Sequence, residues 1–155
     1  MFTIRLCKTT SEFKLARKIT KDYIEWLGMD LTFQKIEDEL LDFNDMYFPP
    51  NGCYLISFTE NGEIAGGVGL RKFQGDICEM KRLYVYPKFL RQGLGETLCK
   101  EMIKQARILG YKRMRLDTIN KLKAANSLYN KLGFYEIEPY RENPNKTARF
   151  MEYII

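Results

Sequence analysis

Apolar and polar residues alternate from Phe2 to Cys7, the period of a strand with one buried face. Thr10 or Ser11 then stands ready to cap a helix that runs to about Leu27 and stops at Gly28. Thr32 caps a second predicted helix, Phe33 to about Phe43, and Pro49-Pro50-Asn51-Gly52 marks a turn. Cys53–Thr59, Ile64–Phe73 and Ile77–Tyr86 read as three strands. Asn61-Gly62 signals a hairpin between the first two, Gln74-Gly75-Asp76 turns the chain into the third, and Pro87 ends this antiparallel meander. In Gly93–Leu109 the apolar residues Leu94, Leu98, Met102 and Ala106 fall on one helical stripe, with Gly110 as the stop. Lys112–Thr118 is a predicted strand. Leu122, Ala125, Leu128 and Leu132 line the face of another helix, ended by Gly133. Phe134–Ile137 and Ala148–Ile154 are predicted closing strands. The order β-α-α-β-β-β-α-β-α-β-β predicts an α/β fold, a mixed sheet with helices on both faces. The chain has no repeat, low-complexity tract or Pro/Gly/Ser linker, so one domain over residues 1–155 is expected.

Composition narrows the chemistry. Apolar residues make up 45% of the 155, enough for a sizeable core. No uninterrupted apolar run approaches the ~18 residues of a membrane span, and the start resembles no signal peptide. The expected setting is the cytoplasm, without a membrane partner. Cys7, Cys53, Cys78 and Cys99 lie far apart among apolar neighbours, the pattern of buried reduced thiols rather than of a metal site or redox pair. Histidine is absent, which removes Ser-His-Asp and Cys-His mechanisms and the commonest metal ligand. No metal site is expected, and proton transfer falls to Glu, Asp, Tyr, Lys, Cys or water.

The net charge of +5 is unevenly placed. Residues 1–80 carry 9 Lys/Arg against 13 Asp/Glu, whereas residues 81–123 carry 12 against 3. That basic segment suggests a polyanionic partner, a nucleic acid or a phosphorylated cofactor; the plainer alternative is a solvated helix face.

Within it, Leu90-Arg91-Gln92-Gly93-Leu94-Gly95 joins a strand to a helix start. A helix start presents unpaired N–H groups and the positive end of the dipole. Gly93 and Gly95 let the backbone approach an anion closely. Alone, such glycines serve equally well in a plain tight turn. No GK[ST] follows them, and the helix comes after an antiparallel meander, so neither a P-loop nor a dinucleotide-binding domain is expected.

Three blocks occur together: Glu79-Met80-Lys81-Arg82-Leu83-Tyr84-Val85, the turn Arg91–Gly95, and AxxLYxKLGF over 125–134. In order and separation they resemble the GNAT superfamily of acyl-CoA-dependent N-acetyltransferases, and the resemblance covers nearly the whole chain. It implies a mostly antiparallel sheet of about seven strands flanked by about four helices. It implies acetyl-CoA as cosubstrate and an amine as acceptor. Backbone amides of Arg91, Gln92, Gly93, Leu94 and Gly95, with Glu96 and Thr97, would hold the pyrophosphate. The main chain of Leu83, Tyr84 and Val85 would pair with the pantetheine arm, admitted where this strand splays from Lys112–Thr118. Tyr129 matches the tyrosine that protonates the leaving thiolate; the alternative is a core aromatic.

Glu79 is the candidate general base, with a pKa raised by burial; the alternative is a structural carboxylate pairing Lys81 or Arg71. Two positions depart from the family pattern. Leu90 stands where Gln or Arg is usual, with Arg91 next to it to take over part of that role. Leu122 stands where Asn is frequent, with Asn120 as a nearby substitute. The acceptor site is expected near residues 23–34 and the late strands, with Tyr23, Trp26, Tyr140 and Arg141 as candidates.

The resemblance thus predicts direct attack of an amine on the thioester, in a protein whose relatives include homodimers. The rival readings are a non-catalytic acyl-CoA-binding module and a nucleic-acid binder. The basic segment lacks the interleaved aromatics of base stacking, so nucleic acid is not expected.

Overall fold

The structure is a computed structural model, and it describes residues 1–28 and 36–155. Strands β1 (Phe2–Leu6), β2 (Cys53–Thr59), β3 (Ile64–Gln74), β4 (Ile77–Val85), β5 (Arg113–Thr118), β6 (Tyr135–Ile137) and β7 (Arg149–Ile154) join one sheet in the order β1-β2-β3-β4-β5-β7-β6. Every neighbouring pair is antiparallel except β4 and β5. The mixed, mostly antiparallel sheet expected from the sequence is therefore present.

Helix α1 (Thr10–Leu27) begins one residue earlier than its expected caps allow. Its N-cap is Thr9, whose side chain accepts from the Glu12 N–H while Glu12 reaches back to the Thr9 N–H, a capping box. Gly28, at φ 67°, ends it in the left-handed region that glycine enters freely. The predicted second helix is two short ones, α2 (Ile36–Leu41) and α3 (Phe43–Met46), broken at Asp42. Its expected start, with Thr32 and Phe33, lies outside the described residues. Helix α4 (Leu94–Ile108) and helix α5 (Lys123–Leu132) fall where the apolar spacing put them.

Two cores form, one on each face of the sheet. The α4 stripe Leu94, Leu98, Met102 and Ala106 is buried against Leu55, Val68, Met80 and Met114, with Tyr129 of α5 in the same cluster. On the other face Ala16 and Ile19 of α1 meet Phe43, Tyr47, Tyr54 and Tyr84. The central strands are buried on both sides, which is why β2 reads as an apolar run rather than an alternation, whereas β4 also buries the charged residues Glu79, Lys81 and Arg82.

The feature that positions the site is an irregularity in β4. Lys81 opposes Gly69 and Tyr84 opposes Gly67, so β4 takes three steps where β3 takes two. The extra residue is a β-bulge, and Arg82 there has a φ of 60°. A bulge bends its strand and increases the local twist. On its other edge β4 pairs with β5 at Ile77, Cys78 and Glu79 only. Beyond Glu79 the two parallel strands diverge.

Candidate active site

The divergence opens a cleft of about 440 Å³. One wall is Leu83, Tyr84 and Val85 of β4; the other is Leu116, Asp117 and Thr118 of β5. Its mouth holds Leu90, Arg91, Gly93, Leu94 and Gly95, and α5 contributes Leu128 and Tyr129. Tyr23 and Trp26 of α1 close one side.

The mouth is built from unusual backbone. Arg91 at φ 63° and Gly93 at φ 77° are both left-handed. That conformation costs a non-glycine residue roughly 1–2 kcal/mol, so the strain at Arg91 is stored in the turn. Gly93 is the N-cap of α4 and supplies no side-chain cap. The N-terminal turn of α4 therefore offers its N–H groups and positive dipole end to the cleft mouth. A Cβ at Gly95 would meet only Leu128 Cδ2, at 3.6 Å, so the space over this glycine is open.

The sequence candidates divide by position. Leu83, Tyr84, Val85, Arg91, Gly93, Leu94, Gly95, Tyr23, Trp26 and Tyr129 all border the cleft. Gln92, Glu96 and Thr97 do not. Glu96 pairs with Lys100 and Lys131, and the Thr97 hydroxyl donates to the Gly93 carbonyl at 3.0 Å. Asn120 also lies off the cleft, its N–H donating to Thr147. Leu122 borders the cleft, so Asn120 does not replace it.

Tyr129 is held by α5. One turn earlier Asn126 accepts from the Thr118 hydroxyl at 2.7 Å and donates to the Ile119 carbonyl at 2.9 Å, locking the start of α5 to the end of β5. Burial pushes the Tyr129 hydroxyl well above its ordinary pKa, so it carries its proton at neutral pH. Trp26 is 47% exposed and lies 5.7 Å from the Tyr84 ring, an aromatic rim on the cleft.

Glu79, Tyr140 and Arg141 stand together away from the cleft. Glu79 Oε1 accepts from Arg71 Nε at 2.9 Å; Oε2 accepts from the Tyr140 hydroxyl at 2.8 Å and from Arg141. The expectation of a raised pKa is overturned. Burial does push it up, but Lys81, Arg71 and Arg141 outweigh burial and hold the carboxyl at about 2. Glu79 is an ion-paired carboxylate with little affinity for a proton. Lys81 beside it is lowered to about 8 by burial and by Arg82.

Sequence reasoning missed four features here. Arg82, at the bulge, grips both oxygens of buried Glu39 at 3.2 and 3.1 Å, tying α2 to β4. Asp117 is the carboxylate on the cleft wall; the sequence placed it in a predicted strand without singling it out. Lys121 and Lys123 border the cleft too, and Lys121 Nζ also donates to the Leu27 carbonyl, at the end of α1, at 2.8 Å. Only the basic run hinted at these two.

Comparison with known proteins bears on this geometry. The family model described as Acetyltransferase (GNAT) family matches residues 20–134. The chain belongs to the GNAT acetyltransferase family. It is 40% identical over 149 residues to an uncharacterized N-acetyltransferase of Schizosaccharomyces pombe, covering 96% of this chain and 90% of that one. It is 32% identical over 128 residues to the uncharacterized N-acetyltransferase YjgM of Escherichia coli, covering 81% and 75%. The fold is shared with yncA of Salmonella typhimurium, solved with its cofactor acetyl-CoA: TM-score 0.69, 21% identity, covering 99% and 93%. As a GNAT member the chain is an acyltransferase.

Proposed function

We propose that the chain transfers the acetyl group of acetyl-CoA to a primary amine within a ternary complex. The carrying observation is the splay of β4 from β5, which opens beside the α4 N-terminus with Tyr129 on its wall. The residues fit the cosubstrate. The left-handed turn Arg91–Gly93 and the first turn of α4 suit a pyrophosphate. The edge of β4 at Leu83–Val85, turned away from β5, suits an extended amide-bearing arm. The presence of acetyl-CoA in yncA supports the same assignment.

The reaction forms an N–C bond and breaks the thioester C–S bond. The cleft contributes proximity, orientation and a buried proton donor. Tyr129, protonated at neutral pH, is the donor to the departing sulfur. Asp117, not Glu79, is the carboxylate placed to meet an ammonium. The backbone near Val85 polarises the thioester carbonyl. Four free buried cysteines support a cytoplasmic setting, and among the described residues no helix is long and apolar enough to cross a membrane.

A binding-only module on the same fold is the second reading, and the ion-paired state of Glu79 favours it. The test is thiol release by the purified protein with acetyl-CoA and a panel of amines. Turnover matched by N-acetylated product is expected. Tight acetyl-CoA binding with no turnover on any amine would establish the binding module instead. Tyr129→Phe is expected to lower kcat by about 10²–10⁴-fold while changing acetyl-CoA affinity little. Unchanged turnover in that variant would remove Tyr129 from the chemistry.

A further inference from the structure

Tyr23, Trp26 and Tyr84 form a wall of three rings on the cleft. Tyr23 and Trp26 stand three residues apart on α1 and so share a face of the helix. Their rings stack with centroids 6.2 Å apart, and the Tyr84 ring of β4 lies 5.6 Å from the first and 5.7 Å from the second. All three residues line the cleft. Tyr23 and Tyr84 are buried, whereas Trp26 is 47% exposed, a large aromatic surface still open beside two packed ones. The turn that carries it is tied on both sides. Asp22 accepts from the Tyr86 hydroxyl at 2.5 Å, and the Leu27 carbonyl accepts from Lys121 at 2.8 Å. The wall is therefore held in place before any ligand arrives, which lowers the cost of ordering it on binding.

Charge along the cleft is lopsided. Among the described residues that line it are the cations Arg82, Arg91, Lys121 and Lys123, and a single carboxylate, Asp117. The Asp117 charge acts on the hydroxyls of both Tyr23 and Tyr129, so it stands near the aromatic wall and the proton donor alike. The cleft therefore suits one ammonium, and a second positive charge on the acceptor would meet the cations of the lining. The three ring centroids are packed on one another at contact distance, which leaves no space among them for a cation. What the wall offers, at Trp26, is a place for another ring to pack by face or edge.

We propose that the acceptor amine carries an aromatic ring, which packs on Trp26 while the ammonium meets Asp117. The acceptor class is therefore an amine joined to an aryl group by a short chain, rather than a polyamine or a short alkyl amine. A free arylalkylamine and a peptide whose first residue is aromatic both present this chemistry. This rests on the acetyl-transfer reading.

The test compares phenylethylamine and phenylpropylamine with cyclohexylethylamine, propylamine and spermidine, by thiol release per unprotonated amine. Phenylalanylglycine and alanylglycine join the panel, so that a ring on a free amine and a ring at a peptide N-terminus are told apart. At least one aryl acceptor is expected to exceed its short alkyl counterpart about tenfold or more in kcat/KM, and the cyclohexyl amine about threefold or more. In Trp26→Ala the KM for that acceptor rises about tenfold or more, kcat changes less, and the KM for acetyl-CoA stays within about twofold. Trp26→Phe, which keeps a ring in the wall, restores most of the loss. Equal use of aryl and alkyl amines, or an unchanged acceptor KM in Trp26→Ala, would overturn the proposal while leaving acetyl transfer intact. A rise in the acetyl-CoA KM alone would overturn it too, by giving Trp26 to the cosubstrate. Absence of thiol release with every amine would instead overturn acetyl transfer. Trp26 is the one tryptophan of the chain, so its fluorescence, followed while the same amines are titrated in the presence of CoA, then decides the ring question alone. A saturable change with aryl amines only upholds the proposal; no response, or an equal one to alkyl amines, defeats it.

Discussion

Glu79 has no exposed surface and three cationic side chains within salt-bridge distance. Desolvation favours its neutral form, yet the cations bring its pKa from 4.5 to about 2. A carboxyl whose pKa falls on folding stabilises the fold above its unfolded pKa and loses that contribution as pH drops through the folded one. The stabilisation is on the order of 3 kcal/mol at neutral pH and is withdrawn between about pH 4.5 and 2. Urea unfolding across that range is expected to show a steeper acid loss in the native protein than in Glu79→Gln. At pH 7 Glu79→Gln strands Arg71, Lys81 and Arg141 without their counter-ion and is expected to cost about 3–5 kcal/mol. A variant as stable as the native protein would mean that the cations find other partners. The sequence marked Glu79 as a carboxylate beside Lys81 and Arg71, but not its proton affinity. That is set by burial against Lys81 and Arg71 first, and then by Arg141, 62 residues away and delivered by the β6–β7 connection.

Among the elements, β4 was legible as a strand and illegible as a bent one. Its apolar positions Ile77, Cys78, Met80 and Leu83 and its bounding turns follow from local pattern. The bulge sits at Arg82, a residue type with no preference for φ 60°, and is held there by Glu39, 43 residues earlier. The glycines of β3 are the one local sign. Gly69 is directly opposite Lys81, and a Cβ there would meet the Tyr47 ring at 2.6 Å. Gly69→Ala is therefore expected to cost about 1–3 kcal/mol by overpacking, measured as a fall in denaturation midpoint. The α1 cap shows the opposite case, a boundary misplaced by one residue. Thr9, Thr10 and Ser11 are all cap formers, and only Thr9 lies three residues before Glu12 and so completes the reciprocal pair. Thr9→Ala is expected to lose about 1 kcal/mol of stability with no change in KM for either substrate. A loss of acetyl-CoA affinity would show that α1 is coupled to the cleft more tightly than through Tyr23 and Trp26 alone.

At the scale of the whole molecule, the sheet carries separate cores on its two faces and a gap between its two parallel strands. The basic segment read from the sequence is divided between these regions. Arg82, Arg91, Lys121 and Lys123 border the cleft, Arg82 while bound to Glu39, whereas Arg113 and Arg115 are bound to Glu152 in the fold. Charge counting sees one block because it cannot see which carboxylates return to meet it. The strands along the chain and the helix stripes were recoverable because each depends on residues within a few positions of one another. The cleft was recoverable only through its resemblance to a family, since a missing strand pair leaves no local signature. A ligand that fills this gap must tie β4, α4 and α5 together. Saturating acetyl-CoA, at about a hundred times its dissociation constant, is expected to stabilise the protein by about 2.7 kcal/mol. Hydrogen exchange should slow at Leu83–Val85, at Leu94–Glu96 and along the first turns of α5. It should stay unchanged in β1 and β6, at the two sheet edges far from the cleft. Protection confined to the α4 N-terminus would mean that only the pyrophosphate is held and that the splay of β4 has another use. Protection at all three segments would make the unpaired edge of β4 the seat of the pantetheine arm.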